Sequence, residues 1–161
     1  MNKAVFLDRD GVITKRTQRY LTSIDELELL PNIEKWLKLL SKQGFHLFVI
    51  TNQSMIGREI STVDTLEKIH TLIQKKFKTY DFQITKFYFC PHNPDDGCYC
   101  RKPKPGLILK AINEFSIDIK NSWLIGDEDT DIILGKNVGC NTIKIETNTE
   151  IKDAVYKILN S

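Results

Sequence analysis

The chain has 161 residues, 41% of them hydrophobic and 27% charged, a balance typical of one globular domain that buries its own core. Its 23 basic and 21 acidic residues leave a net charge of +2, which excludes the strongly basic surface of a general nucleic-acid-binding or membrane-surface protein. We find neither a signal-peptide pattern nor an apolar run of about 20 residues that could cross a bilayer. We therefore expect a cytoplasmic, monomeric protein without nucleic-acid or membrane partners.

The first predicted elements are a strand, a long loop and a helix. Residues 4–7 form a short apolar run bounded by polar residues, as in a buried parallel strand. Residues 11–30 are irregular, and a loop of that length in a compact domain is usually functional. Apolar side chains then recur at helical spacing between Pro31 and Gly44, where glycine is typical of a helix end.

The middle of the chain repeats this alternation. Residues 47–51 form a second strand-like run, and residues 63–77 have apolar side chains at helical spacing. Ser61 and Asp64 are placed like a capping box at the start of that helix. A third strand is predicted over residues 84–89.

The last part of the chain begins with a second long irregular stretch and completes the alternating pattern. Pro105 suits the first position of the next helix. The remaining predicted elements are a loop at 90–104, strands at 122–125 and 142–145, and helices at 129–138 and 149–159. Alternating strands and helices predict an α/β fold, a three-layer Rossmann-like parallel sheet flanked by helices, with residues 1–161 as a single domain.

Polar side chains follow three of the predicted strands at the point where each strand ends. Asp8 and Asp127 each follow an apolar strand, and Thr51 closes a third. Ligands of open α/β sheets bind at this edge, so these residues should share one site. Asp10 lies two residues beyond Asp8, and two neighbouring carboxylates need a hard cation such as Mg²⁺ or a proton between them. Taken singly, each Asp could instead cap a helix or form an Asx turn.

The set Asp8-x-Asp10, Thr51-Asn52, Lys102 and Gly126-Asp127 resembles, in that order, the haloacid dehalogenase superfamily of phosphotransferases. The resemblance extends over essentially the whole chain. It implies that Asp8 attacks phosphorus to form an aspartyl-phosphate and that Asp10 acts as general acid and base. Thr51 and Lys102 would hold the phosphoryl oxygens.

The same resemblance implies a magnesium site. Mg²⁺ would be bound by the Asp8 carboxylate, the Asp10 backbone carbonyl and Asp127. Asp131, one helical turn beyond Asp127, would support the site from behind the ligands.

Three of the four cysteines are clustered with a histidine in the second long loop. Cys90, His92, Cys98 and Cys100 form a ligand set suited to a closed, structural, tetrahedral Zn²⁺ site in a loop at about residues 90–103. Free buried thiols or a disulfide are the alternative interpretations. Cys140 lies outside the cluster and is predicted to be a small core residue.

The zinc loop resembles that of a narrower group, the D-glycero-D-manno-heptose 1,7-bisphosphate phosphatases and the related histidinol-phosphate phosphatases, which lack a large cap domain. The sequence that follows Thr51 is similar to the heptose branch, which implies removal of one phosphate from the heptose bisphosphate to give the 1-phosphate in nucleotide-heptose biosynthesis. Histidinol phosphate or another sugar phosphate is the alternative substrate, and a phospho-ligand-binding domain without turnover is a third possibility. The implied substrate-binding residues are Asn52, Gln53, Ser54 and Arg101.

Two residues depart from the heptose pattern, and one basic group has an open role. Met55 stands where the resemblance leads us to expect Gly, and Glu128 where we expect Lys. A carboxylate beside Asp127 would repel a substrate anion unless it points away. The basic residues of the first long loop, Lys15, Arg16 and Arg19, either contribute to a positive mouth or form a solvated loop.

Overall fold

The computed structural model describes residues 1–161, and its five strands form a single parallel sheet. The strands are β1 (Ala4–Leu7), β2 (His46–Asn52), β3 (Lys86–Cys90), β4 (Trp123–Gly126) and β5 (Asn141–Lys144). They lie side by side in the order β3-β2-β1-β4-β5. Strand β1 is therefore central, and its end has a strand end on either side.

Five α-helices cover the two faces of this sheet. They are α1 (Ile33–Lys42), α2 (Val63–Lys78), α3 (Gly106–Phe115), α4 (Asp129–Val138) and α5 (Lys152–Leu159). Apolar residues of α1, α2 and α5 belong to one core cluster, and those of α3 and α4 to a second. The fold is the predicted three-layer α/β arrangement, and none of its helices is both long and apolar enough to span a membrane.

The central strand β1 contributes side chains to both core clusters because side chains alternate between the two faces of a strand. Val5 and Leu7 belong to the cluster beneath α1, α2 and α5. Ala4 and Phe6 belong to the cluster beneath α3 and α4. All four side chains are fully buried, so the end of β1 is a rigid base for the residue that follows it.

Local predictions were wrong at three helix starts. The N-cap of α2 is Thr62, whose hydroxyl accepts the Thr65 N–H at 3.2 Å, so the Ser61–Asp64 pair is not its cap. Helix α3 begins at Gly106, one residue after Pro105. Helix α5 begins at Lys152 rather than near 149, because the Thr149 N–H and hydroxyl both bond the Glu146 carbonyl in a turn.

Candidate active site

The ends of the central strands bring the predicted carboxylates together. Asp8 follows β1 and Asp127 follows β4, and these strands are hydrogen-bonded neighbours. Gly11 completes the turn after β1 with a φ of +89°, and a Cβ at this position would lie 2.4 Å from Asp127 Oδ2. A side chain at Gly11 would therefore occupy the space between the two strand ends.

Asp8 forms a buried ionic cluster with a lysine and a second carboxylate. Lys102 Nζ lies 3.0 Å from Asp8 Oδ1 and 2.7 Å from Asp131 Oδ1. Burial raises the pKa of Asp8 to about 7, although Lys102 opposes the shift. The two carboxylates outweigh the effect of burial on Lys102 and raise its pKa, so the lysine is a fixed positive charge. The positively charged Lys102 ammonium group is thus held against Asp8, where a transferring phosphoryl group would need a positive charge.

Asp127 has one oxygen engaged and one free. Thr147 donates a hydrogen bond to Asp127 Oδ2 at 2.8 Å, and Arg16 approaches the same oxygen at 3.4 Å. Asp127 Oδ1 is buried without any hydrogen-bond partner. Carboxylate oxygens of Asp8, Asp127 and Asp131 all lie within 4.8 Å of one another. An unpartnered buried oxygen in such a cluster fits a hard divalent cation.

Asp10 keeps 28% of its side chain exposed, and hydrogen bonds hold both of its carboxylate oxygens. Gln53 Nε2 donates to Asp10 Oδ2 at 2.9 Å and Thr14 Oγ1 donates to Asp10 Oδ1 at 3.0 Å. Arg9 adds three contacts to the same carboxylate, all between 3.0 and 3.1 Å. Burial opposes ionisation of Asp10, but the Arg9 charge and these hydrogen bonds outweigh it and lower its pKa.

The segment that follows Thr51 connects the end of β2 to the second long loop. Gln53 Nε2 also donates to Thr51 Oγ1 at 2.8 Å. Asn52 Oδ1 accepts the Lys102 N–H at 3.0 Å, which joins β2 to the backbone that presents the lysine. Ser54 Oγ lies 3.2 Å from the Tyr20 hydroxyl, and the Nη1 atom of Arg101 is buried without a partner.

These residues open into a cavity of about 570 Å³ lined almost entirely by polar side chains. The predicted Asp8, Asp10, Lys102, Arg101 and the residues 51–54 all line it, and so do Lys15, Arg16 and Arg19 of the first long loop. Asp127 and Asp131 lie behind this lining, bonded to Arg16 and Lys102. The basic residues of the first loop therefore face the site.

Glu128 lines the same cavity, but its charge is paired. Arg16 Nη1 lies 2.5 Å from Glu128 Oε1, and Glu128 also forms a capping box with Asp131 at the start of α4. The Asn148 side chain holds the Arg16 backbone by accepting its N–H at 2.6 Å and donating to its carbonyl at 2.8 Å. The unexpected acid at this position is thus one partner of an ion pair that fixes the loop.

The cysteine loop has the geometry of a metal site. Cys90 Sγ lies 3.6 Å from Cys98 Sγ and 3.4 Å from His92 Nδ1, and His92 Nδ1 lies 3.2 Å from Cys100 Sγ. Tetrahedral zinc with Zn–S bonds of about 2.3 Å would place neighbouring sulfurs about 3.8 Å apart. No disulfide forms, and Cys140 is a buried residue outside the cluster, as predicted.

Several residues of the site were missed from the sequence. Arg9 and Thr14 contact Asp10, and His70 contacts Arg9. Thr147 and Asn148 hold Asp127 and Arg16. Only Arg9 carried a signal, since it is a charged residue between two aspartates directly after a buried strand. The others lie far along the chain or in turns without a motif.

A buried aspartate after the central strand, a lysine against it and a carboxylate cluster able to hold a divalent cation define a phosphatase of the haloacid dehalogenase class. The family profile described as HAD-hydrolase-like matches residues 99–158. The chain is 40% identical over 137 residues to D-glycero-beta-D-manno-heptose-1,7-bisphosphate 7-phosphatase of Helicobacter pylori, a match covering 84% of this chain and 79% of that protein. It is also 40% identical to D-glycero-alpha-D-manno-heptose-1,7-bisphosphate 7-phosphatase of Campylobacter jejuni, over 96% of this chain and 87% of that protein.

A solved structure and a second kind of relative extend these matches. The D,D-heptose 1,7-bisphosphate phosphatase of B. bronchiseptica, complexed with magnesium and phosphate, superposes with a TM-score of 0.86 at 30% identity, over 90% of this chain and 81% of that one. The histidine biosynthesis bifunctional protein HisB of Blochmanniella floridana is 35% identical over 89% of this chain but only 41% of its own length. The chain belongs to the haloacid dehalogenase-like hydrolases, in the family that these phosphatases make up.

Proposed function

We propose that this phosphatase hydrolyses D-glycero-D-manno-heptose 1,7-bisphosphate to the 1-phosphate, in nucleotide-heptose biosynthesis. The observation that carries the proposal is the buried Asp8–Lys102 contact at the base of a polar cavity with basic side chains at its mouth. The names of relatives that match most of the chain support the choice of sugar. Relatives of both anomeric names match equally well at 40% identity, so the proposal leaves the anomer open.

The reaction begins at Asp8. One carboxylate oxygen of Asp8 attacks phosphorus, the bond from phosphorus to the sugar oxygen breaks, and the leaving oxygen takes a proton from Asp10. Because Arg9 and the hydrogen bonds to Asp10 lower its pKa in the free protein, Asp10 must take up this proton when the substrate phosphate, whose negative charge raises that pKa, binds beside it. Asp10 then removes a proton from water, which attacks the aspartyl-phosphate and regenerates Asp8 with release of inorganic phosphate. Lys102 and Thr51 hold the phosphoryl oxygens during both transfers.

The magnesium ligands in this proposal are Asp8, the Asp10 backbone carbonyl and Asp127. The buried, unpartnered Asp127 Oδ1 supports this assignment because such an oxygen is costly without a cation. Bound Mg²⁺ would offset the repulsion between the carboxylates and the substrate phosphate. Asp131 is engaged with Lys102 and the Glu128 N–H, so its assigned task is to hold the lysine.

The remaining cavity suits a substrate with two charged ends. Arg101, whose buried Nη1 has no protein partner, would bind the distal part of the sugar phosphate together with Asn52, Gln53 and Ser54. Arg19 and Lys15 would add positive charge at the outer rim. A second phosphate could therefore be accommodated at some distance from Asp8.

The Cys–His cluster is assigned to structural Zn²⁺, with Cys90, His92, Cys98 and Cys100 as ligands. Four protein ligands close a tetrahedral shell, which leaves no position for an activated water. The clustered thiols must stay reduced to bind metal, so we place the enzyme in the cytoplasm. Residues 1–161 are proposed to act as a single domain and as a monomer.

The nucleophile assignment is tested with Asp8→Asn. Asparagine preserves the size of the side chain but is a much poorer nucleophile, so kcat should fall by at least about 1,000-fold on every phosphate ester. Phosphate release measures the loss, and circular dichroism checks the fold. A well-folded variant that turned over at the wild-type rate would remove Asp8 from this role.

The substrate assignment is tested separately. Phosphate release should be compared across both anomers of the heptose bisphosphate, hexose phosphates and histidinol phosphate. The HisB relative makes histidinol phosphate the second candidate. Turnover of histidinol phosphate with none of the heptose compounds would replace the proposed substrate while keeping the proposed chemistry.

A further inference from the structure

Arg9 is an unusual residue for the interior of a protein. It is fully buried and is the largest side chain in the molecule with less than 2% exposure. A buried guanidinium is costly unless all of its donors find partners. The partners of Arg9 therefore show what its charge does in this fold.

One side of the guanidinium forms hydrogen bonds with the Asp10 carboxylate. Arg9 Nε donates to Asp10 Oδ1 at 3.1 Å, and Nη2 contacts both carboxylate oxygens at 3.0 Å. The planar fork fixes the plane of the carboxylate as well as its distance, which a lysine could not do. The orientation of Asp10 is therefore set largely by where Arg9 lies.

The other side of the guanidinium rests on His70. Arg9 Nη1 lies 3.2 Å from His70 Nε2, and because arginine can only donate, Nε2 must be the unprotonated nitrogen of the ring. Burial, and then the Arg9 charge, lowers the pKa of His70 to about 3, so the ring is neutral at physiological pH. The ring also stacks on Phe87 of β3, with centroids 4.6 Å apart and planes at 20°.

We infer that His70 and Arg9 are positioning residues for Asp10, through which helix α2 fixes the orientation of the acid–base carboxylate. His70 contacts none of the reacting groups and acts only through Arg9. The inference rests on the proposed role of Asp10. It assigns a catalytic consequence to a histidine that lies 60 residues from the motif and on a helix outside the cavity lining.

A leaving-group comparison tests this directly. A sugar alkoxide leaves only with a proton, whereas 4-nitrophenolate leaves with little assistance. The value of kcat/KM reports the first phosphoryl transfer, so a misplaced acid should lower it selectively for the sugar phosphate. For His70→Leu we expect a loss of about tenfold or more on the best sugar phosphate of the substrate screen and less than about threefold on 4-nitrophenyl phosphate.

Two further substitutions at this position act as matched variants. His70→Gln places an amide oxygen near the position of Nε2 and should restore most of the loss. His70→Asn is also an amide, but its oxygen corresponds to Nδ1, so it should behave like leucine. Arg9→Lys keeps the charge without the fork and should show the same selective loss.

Ile73→Ala serves as the packing control, because Ile73 is fully buried on the same helix and belongs to its core cluster. It should destabilise the protein without leaving-group selectivity. Equal losses on both substrates for His70→Leu, or no recovery with His70→Gln, would overturn the inference. Asp10→Asn separates this inference from the proposed role of Asp10. If Asp10→Asn shows no leaving-group selectivity, the proposed role of Asp10 fails. If Asp10→Asn shows that selectivity but the His70 and Arg9 variants do not, only the His70–Arg9 inference fails.

Discussion

At the mouth of the site, one ion pair determines how much positive charge a substrate meets. The Arg16 and Glu128 side chains are 44% and 42% exposed, so solvent screens their attraction, and the pair contributes little to stability. Its geometric role is larger. Arg16 joins the first long loop to α4 through Glu128 and to the β5–α5 connection through Asn148. The pair therefore holds the loop over the cavity.

Arg16→Gln should raise KM for an anionic substrate about fivefold, because Glu128 is left as an unpaired negative charge beside the site. The double variant Arg16→Gln/Glu128→Gln should recover part of that loss. Steady-state kinetics at low and at 0.5 M salt measure the effect, which should shrink as salt screens it. A double variant no better than Arg16→Gln would contradict this account.

Gly126 illustrates a different constraint at the residue scale. A Cβ there would lie 2.3 Å from the Asp131 side chain, which holds Lys102. Gly126→Ala should cost about 1–3 kcal/mol of stability by overpacking. It should also lower kcat about tenfold or more by displacing the lysine. Gly139→Ala is the comparison. Its Cβ would meet nothing within 4 Å, but alanine is strained at its φ of +82°, so this variant should lose stability without losing activity.

At the scale of elements, helix α2 connects the protein's response to acid with its active site. The His70 pKa is about 3 in the folded protein against 6.5 for a free histidine, so below pH 6.5 the unfolded chain binds a proton that the folded one does not. Stability should therefore fall as pH drops from 6.5 towards 3, by at most about 1.4 kcal/mol per pH unit from this residue.

Urea unfolding of wild type and His70→Gln at pH 7 and pH 5 measures that contribution. Glutamine does not titrate, so the variant should lose less stability on acidification than wild type. The carboxylates titrate in both proteins, so the difference between the two stability losses gives the contribution of His70 alone. Equal losses in the two proteins would place the acid sensitivity elsewhere.

The strands and helices were largely predictable because their apolar periodicities follow from burial on this sheet. The first strand was predicted with its observed bounds, Ala4–Leu7, and α4 was predicted over its observed range, Asp129–Val138. Helix starts were less predictable, since Ser61 and Thr62 are both able caps and only the backbone geometry selects Thr62. A contact such as Arg9–His70 can be predicted only if α2 is known to pack beside the end of β1, and no local sequence pattern indicates that packing.

At the scale of the whole molecule, the second long loop joins two sites with different ligand chemistry. Cys100 is followed by Arg101 and Lys102, so one residue separates the last thiol of the cluster from the lysine against Asp8. The Lys102 backbone is also held by Asn52, at the end of β2. A change in the conformation of the cysteine loop would therefore shift the position of Lys102.

If the Cys–His cluster holds zinc as proposed, removal of that zinc should lower Tm by at least about 5 °C and reduce activity even when Mg²⁺ is restored. The experiment treats the protein with a chelator, adds back Mg²⁺ alone or Mg²⁺ with Zn²⁺, and follows Tm, metal content and phosphate release. Cys98→Ser should mimic chelation, and Cys140→Ser, outside the cluster, should bind zinc normally. Purified protein free of zinc, with unchanged Tm after chelation, would rule out the structural zinc site.

The single-residue spacing between Cys100 and Lys102 has a consequence for the enzyme under stress. Neither the thiols nor the proposed zinc takes part in the proposed chemistry. If the cluster holds zinc as proposed, oxidation of these thiols by peroxide would release it and loosen the lysine that faces Asp8. A hydrolytic enzyme without a catalytic cysteine would then lose activity in oxidising surroundings or under zinc starvation, and thiol reduction together with zinc supply would restore it.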